Sequence, residues 1–592
     1  MGMSQEGRGR TRIRSVVGLT LAWGLISIPA AFAAGPPGEI RVGGPSAPGD
    51  AKLALVATGN NLVGQPFAVF QGRHVVLRGR LRSAIGSPSP WLYAATADMS
   101  GVRAPGSYSV QAGGMVSPPW QVEADATRPL IRRLLRVFQV NADGSEPNPV
   151  FGPAHLNDAH SPVSGGPTNG GTVDVSGGWR DAGDMIKFTA NEAIASVMLD
   201  YVATLDPKDG PLLGAFSDIG IRFVVRAHPV YSQTFIAQVG DARDHIGDFR
   251  DPARDDSSSV PYFRQRTAYG DSGSGTLGAG AAALGSAAIR VGTASPLGRA
   301  YAALGAQWYT AGKQFAGQGP DLGPSNYSFP QPQAWQGLMA LAATELWRAS
   351  GNTGYLDDAA YYLHADAANG SDNLYSGFGL GNVGGLVAAD LCGGLGRRAA
   401  SQRNVRGFAC GKLVELTSTT RVRASGDAFG NTFPFQFGWV APALGDAALA
   451  AAGQRAGVER YGRKIAAAAR DYLVGRNPWG REFILGTDGK DAHHPQSPII
   501  LKGNPSVLGN GMVVGGPASK STLGQFGHCC GNQLTPAARR PGSKFDPTYC
   551  DDKGKHCERI IYDDNTSDYV TSEAGLEYTP PVLLLLAELS AR

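Results

Sequence analysis

The stretch "VSGGWRDAGDMIKF", Val175 to Phe188, sets two carboxylates three residues apart, Asp181 and Asp184, in a glycine-flanked turn directly after Trp179 and Arg180. Two readings compete for it. An aspartate at a loop-to-helix junction satisfies free N–H groups of the first turn, and the following "MIKFTANEAIASVMLDYVATL" carries apolar residues at helical spacing. Alternatively, two acids pointing the same way can hold one water by two hydrogen bonds while one of them accepts its proton. The turn alone does not separate a cap from a general base. On either reading it opens a helical region.

Downstream, that region continues as Ala-rich segments divided by long Gly/Pro loops, among them "GTLGAGAAALGSAAIRVG", "PQAWQGLMALAATELWRASG" and "VERYGRKIAAAARDYLVG". Small residues on both faces let helices approach closely. Nothing in this part reads as a βαβ series, which argues against an α/β barrel. Upstream, from about Gly38 to Glu123, the texture differs: "KLALVA", "FAVF", "HVVLRGRL" and "GSYSVQAGG" are short β-type runs with Gly and Pro between them. That spacing predicts a small antiparallel sandwich with no cluster of catalytic groups. The change comes at "ATRPLIRRLLRVFQV". The expected organisation is therefore a mainly α chain, with a leader over 1–34, a β-sandwich over 36–124 and a helical domain over 128–592.

The leader reading rests on Arg8 to Arg14, the apolar run "VVGLTLAWGLISIPAAFA" and the small residues Ala31 and Ala33 ahead of a cut, the layout of a secretory signal. A retained membrane anchor fits less well, because Gly24 and Pro29 interrupt the run. The formal charge of +4 includes Arg8, Arg10, Arg12 and Arg14 against Glu6; without them 49 basic face 48 acidic residues, which excludes a nucleic-acid-binding surface as the main expectation. The expected setting is secreted, with no membrane partner once the signal is removed, as a monomer. Six cysteines suit an oxidising compartment. Cys529, Cys530, Cys550 and Cys557 with His528 or His556 also have the donor chemistry of a zinc cluster, although adjacent cysteines make awkward ligands and disulfides are the favoured reading.

A second acid-bearing stretch lies near the C-terminus, "IIYDDNTSDYVTSEAGLEYTPPVLLLLAEL". Glu573 follows Tyr562 and Tyr569 and precedes an apolar helix, a setting that can raise a carboxyl pKa and keep its proton. The competing reading is a first-turn glutamate held charged by the helix dipole. Together the two stretches supply what cleavage of a glycosidic bond needs: one proton donor, one base, and aromatic faces for sugar rings.

Here a resemblance becomes specific. "VDVSGGWRDAGDMIKF" resembles the Gly-Gly-Trp-Tyr-Asp-Ala-Gly-Asp signature of glycoside hydrolase family 9, the family of many endoglucanases. Tyr562, Asp564, Tyr569 and Glu573 match its aromatic-x-Asp-x4-aromatic-x3-Glu pattern, and "DYLVGRNPWGREFILGTDG", "GNGMVVGGP" and "FPFQFGWV" resemble further family segments in the same order. The early sandwich resembles the immunoglobulin-like domain that precedes the catalytic domain in one subgroup. The resemblance implies an (α/α)6 barrel and hydrolysis with inversion on cellulose-like β-glucan, with no cofactor required for the chemistry. By position it implies Asp184 as general base, Asp181 as the second holder of the water and Glu573 as general acid. Trp179, Arg180, His493, His494 and Tyr569 are the expected substrate contacts, and the expected partner is a polysaccharide or oligosaccharide.

The departures bear on which sugar is accepted. Arg180 and Met185 flank the acid pair where the family commonly has aromatic or histidine residues, and the family's Pro-His-His-Arg becomes Ala492, His493, His494 and Pro495. Neither Pro495 nor Gln496 reproduces a guanidinium fork. A β-linked amino-sugar oligomer is thus an alternative substrate, and a carbohydrate-binding protein with decayed catalysis is an alternative class. The family sometimes carries structural calcium, but no compact oxygen-ligand loop is seen. His155, Asp158, His160 and Asp174 are weak metal-ligand candidates by spacing alone, and the expected metal content is none.

Overall fold

The computed structural model describes residues 36–166, 169–228, 233–245, 249–271, 273–315, 317, 335–368, 383–395, 400–526, 543–550 and 556–591. The leader reading, Cys529, Cys530 and His528 lie outside the described residues.

The sandwich is built from β1 (Glu39–Arg41), β2 (Leu53–Thr58), β3 (Pro66–Gln71), β4 (His74–Arg80), β5 (Arg82–Ser83), β6 (Tyr93–Asp98), β7 (Gly106–Ala112), β8 (Met115–Val116) and β9 (Trp120–Val122). One sheet runs β1-β2-β6-β5 and the other β4-β3-β7-β8, with β9 also on β7. Period-2 alternation sends Phe67, Val69, Tyr108 and Val110 inward against Val56, Ala95 and Trp120. The sandwich leans on the helical part through the Arg470–Asp50 ion pair at 3.2 Å and the Trp91 ring 5.9 Å from Phe429.

The helices form hairpins around a closed ring. The inner members are α2 (Thr189–Leu205), α4 (Ser274–Arg290), α6 (Trp335–Ser350), α8 (Gly384–Gly394), α10 (Val440–Arg455) and α12 (Thr579–Ser590). Each packs on the next, and α12 returns to α2. Their outer partners are α3 (Gly210–Arg226), α5 (Pro296–Gln314), α7 (Thr353–Ala368), α9 (Ala400–Gly426) and α11 (Gly462–Leu473), while α1 (Arg128–Leu134) backs α12. This is the (α/α)6 barrel. Glycine is what lets α4 pack so tightly on both layers: a Cβ on Gly280 would meet the ring of Trp308 in the outer α5 at 2.4 Å, and one on Gly278 the Leu338 backbone of the inner α6 at 3.0 Å. Inner helices such as α4 are buried on every side from Ser274 to Ala288, whereas α11 buries one face through Ile465, Ala466, Ala469 and Leu473. Among the described residues no helix is long and apolar enough to cross a membrane.

Because inner and outer helices alternate, all inner helices point the same way, and the loops that precede them gather at one end. The acid pair lies just before α2 and Glu573 just before α12. Those two helices are the first and last inner members, and ring closure makes them neighbours. Chain ends of the barrel thus bring the acid pair and Glu573 to one place.

Candidate active site

The first wall of the site is the turn from Gly177 to Phe188. Gly177 and Gly178 hold left-handed φ of 80° and 75°, and a Cβ on Gly178 would meet Glu192 Oε1 at 2.3 Å. This close approach lets the Trp179 N–H donate to Glu192. The turn is closed by Asp181 N–H to the Ile186 carbonyl at 2.9 Å and by Ile186 N–H to Asp184 Oδ1 at 3.0 Å. The capping role and the chemical role therefore coexist in Asp184: Oδ1 braces the turn, and Oδ2 lies 2.7 Å from His245 Nδ1. Asp181 accepts from the Asn191 side chain, at the start of α2.

The second wall carries Glu573, directly after the short helix Tyr569–Ser572. Its backbone is clamped between two segments: Gly515 N–H donates to the Glu573 carbonyl at 2.9 Å, and Gln496 N–H to the Ser572 carbonyl at 2.8 Å. The two walls are sewn directly together. Leu576 N–H donates to the Asp181 carbonyl at 2.7 Å, and the Gly183 N–H donates to the Glu573 carboxylate. Tyr578 O–H reaches Glu573 Oε2 at 3.1 Å. A Cβ on Gly183 would stand 1.9 Å from Gln496 Oε1, so the Gln496 amide fills the space beside the acid pair.

Electrostatics follow from this crowding. Burial, reinforced by the Asp184 charge, raises Glu573 to about 7, even though His245, the Tyr578 hydroxyl and the Gly183 N–H pull the other way. Burial and then the charges of Glu577, Asp184 and Glu573 hold Asp181 well above the usual carboxylate range, against the Asn191 hydrogen bond. Glu577, 8 % exposed, is raised to about 8 by burial and Glu573. Burial would lower His245, but its bond to Asp184 prevails and raises it. The site therefore offers acids that keep a proton near neutrality beside an aspartate, Asp184, that is paired with an imidazole. That is the donor-and-acceptor pair required for protonating a leaving group while deprotonating a water.

The other expected contacts divide. Tyr569 is half-buried near Glu573, its hydroxyl on the Phe526 carbonyl and its ring 6.1 Å from Phe437, an aromatic group beside the acid. His493 and His494 share a turn whose N–H groups both donate to Asp564, at 3.0 and 2.8 Å. His493 Nδ1 is engaged with Ser506 Oγ and the Gly486 carbonyl, while the His494 side chain is 62 % exposed. Trp179 and Arg180 are corrections: each is only 1 % exposed. The indole packs edge-on against Phe138 at 5.1 Å, and the guanidinium donates to the Val140 carbonyl at 2.6 Å over the Phe151 ring. Neither has a face open to a sugar; they support the turn from behind.

The residues weighed as weak metal candidates have other partners. His155 binds Asp143 and Asp255 at 2.9 Å through its two ring nitrogens, and Asp158 is paired with Arg266 and with Lys187 at 2.7 Å. Both ring nitrogens of His155 are taken by carboxylates and Asp158 by cations, and among the described residues no His/Cys/Asp/Glu group is arranged to hold a metal ion. Cys550 is bonded to Cys557 across strands Thr548–Cys550 and Cys557–Ile561, and Cys392 to Cys410. The zinc reading thereby loses two of its four thiolates.

Sequence reasoning missed His245, Asn191, Glu577 and Tyr578. The last two were within reach, since Glu577 and Tyr578 stand four and five residues past Glu573; His245 ends the short helix Ala242–His245, 61 residues beyond Asp184, with no spacing signal.

Comparison with known proteins turns on this arrangement. The model of glycosyl hydrolase family 9 matches residues 128–586. The chain belongs to that family. It is a glycoside hydrolase of endoglucanase-like architecture. A metagenome-derived glycoside hydrolase family 9 endoglucanase superposes with a TM-score of 0.73 at 20 % identity, covering 94 % of this chain and 99 % of that one. A thermostable endoglucanase from Alicyclobacillus acidocaldarius gives 0.74 at 18 %, covering 94 % and 100 %. AaCel9A in complex with cellobiose-like isofagomine gives 0.73 at 18 %, with the same coverage. No curated protein sequence matches the chain.

Proposed function

We propose that this glycosidase cleaves a β-linked glucan with inversion at the anomeric carbon. Asp184 is the general base, Asp181 the second holder of the attacking water, and Glu573 the general acid. The observation that carries the reading is Glu573, a carboxyl pushed up to about 7 and fastened to the turn that bears the two aspartates. A proton donor of that strength is charged only above neutrality, and an inverting pair needs one neutral and one ionised carboxyl ~6.5–9.5 Å apart with water between. His245 orients Asp184 and Asn191 orients Asp181. Tyr569 and the exposed His494 are the proposed sugar contacts at the rim. The neighbour bound to cellobiose-like isofagomine supports a glucan. The two disulfides support an exported protein.

A β-linked amino-sugar oligomer is the second reading. Four carboxyls, Asp181, Asp184, Glu573 and Glu577, meet one imidazole, and Gln496 occupies the space beside the acid pair without bringing a cation. An ammonium group brought into such a cleft would favour the ionised form of carboxyls that otherwise keep their protons near neutrality. The protein is to be offered a soluble cellulose derivative, mixed-linkage β-glucan, xyloglucan and chitosan oligomers, with new reducing ends counted and the first-formed anomer read by NMR. An α-anomer from a β-glucan supports the proposal; a β-anomer refutes inversion, and turnover of chitosan alone selects the second reading.

A further inference from the structure

The sandwich takes no part in the chemistry, yet one of its faces is strongly biased in charge. Between Lys52 and Asp98 the sequence has no acidic side chain, and its basic ones are Arg73, His74, Arg78, Arg80 and Arg82. Four arginines within ten positions with no acid among them is not what a solvated surface of mixed sign requires.

The fold aligns them. In β4 the odd positions turn inward: Leu77 packs toward the sandwich core, Gly79 lies under the Phe67 ring, and Leu81 just beyond is buried. Arg78 and Arg80 therefore face outward, and Arg82 comes next in β5, the edge strand of the other sheet. Two residues along a strand are about 7 Å, so Arg78 and Arg80 stand in a short row, and Arg82 extends it around the rim of the sandwich, where the chain crosses to the other sheet. β4 is also the open edge of its sheet, since only β3 pairs with it.

Beside this row lies a low platform. Arg78 stands opposite Ala68, Ala68 opposite Gln111, and Gln111 opposite Val116; Arg80 stands opposite Pro66. Val116 is 63 % exposed. Arg73, Arg78 and Arg82 form no ion pair among the described residues, and Arg80 makes one internal bond, to the Gly64 carbonyl at 2.8 Å.

We propose that the arginine-lined side of the sandwich, formed by the edge strands β4 and β5 with the adjoining outer face of β3, is a docking surface for an acidic polysaccharide, a glycan bearing carboxylates along its length. Guanidinium forks match carboxylates bidentately, and a repeating row of them matches a repeating polymer better than a single anion. The small side chains of Ala68 and Pro66 leave a level floor on which an extended chain can lie, and a basic cluster of this kind is the usual footprint for a polyanion. The surface belongs to a different domain from the acid pair, so it holds the enzyme on a matrix without entering the reaction.

The full chain is to be run in native gels containing polygalacturonate, with mixed-linkage glucan gels as the neutral reference and soluble-substrate hydrolysis assayed in parallel. The expected result is retardation by polygalacturonate that weakens as salt is added, because exposed pairs are screened within about 10 Å at ordinary ionic strength. The variant Arg78→Gln/Arg82→Gln leaves the internal Arg80 bond in place; it should bind about tenfold more weakly while unfolding at the same temperature and hydrolysing soluble substrate at the same rate. Equal mobility in both gels overturns the proposal and leaves the arginines as guards of an open sheet edge. Unchanged retardation of the variant overturns it, and so does equal competition by polyglutamate, which would assign the face to an acidic protein.

Discussion

Two carboxylate-rich regions lie back to back in this protein and have opposite fates. In the cleft, Asp181, Glu573 and Glu577 crowd together with a single imidazole nearby, and burial pushes them all up. One layer behind, Asp143, Asp158 and Asp255 are as deeply buried, but His155, Lys187, Arg250 and Arg266 outweigh desolvation and hold them below the usual range. The same residue type becomes a proton carrier in one place and a fixed anion in the other. What differs is the supply of cations. The rear network also positions the front: Arg266 donates to the Met185 carbonyl, next to Asp184, while it pairs with Asp158 and Asp143.

The contrast is broken most sharply from the front. Glu573→Gln removes the transferable proton while keeping shape, and kcat should fall by about 10³-fold with the fold intact, read as new reducing ends. From the rear, Arg266→Leu leaves Asp143 and Asp158 short of their buried cation; the expected loss is about 3–5 kcal/mol of stability, measured by denaturant unfolding. If that variant unfolds like the parent, the network is not the brace described here.

Smaller effects sharpen the comparison. His245→Asn removes the partner of Asp184 Oδ2, and a bond to a charged group is worth roughly a tenfold to hundredfold loss in kcat with KM nearly unchanged. The pH profile has a definite sign. Glu573 is raised from the usual 4.5 to about 7, so it donates below that point, and kcat should decline as pH rises through about 7. In stability terms its neutral form favours the folded state fully below its unfolded pKa, and that contribution is lost by the time pH has passed about 7. Least of all, Glu577→Gln removes the largest charged neighbour of Asp181. Desolvation remains the leading cause of the Asp181 shift, so the acid limb of kcat/KM should move to lower pH by less than about one unit. A shift to higher pH would contradict like-charge repulsion in the cleft.

Much of this was legible beforehand. Periodicity separated the sandwich from the helices, and Asp181, Asp184 and Glu573 could be named as a group because the chemistry of glycosidic cleavage calls for that set. The errors have a common cause. Trp179 and Arg180 sit beside the acid pair in sequence, but in a tight turn neighbouring side chains leave in different directions, and these two leave toward the interior. Asp158 looked free because its cations, Arg266 and Lys187, come from other segments, and so did His155, whose ring nitrogens meet Asp143 and Asp255.

By itself the sequence determined the element types, β first and then helical, and pointed to the acids proposed for the chemistry, because hydrophobic period and motif spacing are local properties. Only the tertiary structure decided what those acids are. Ring closure brought the first and last inner helices together and so joined Asp181 to Glu573, and the distribution of buried cations set which carboxyls keep their protons. Pairing and desolvation depend on distances through space, which no local pattern along the chain records.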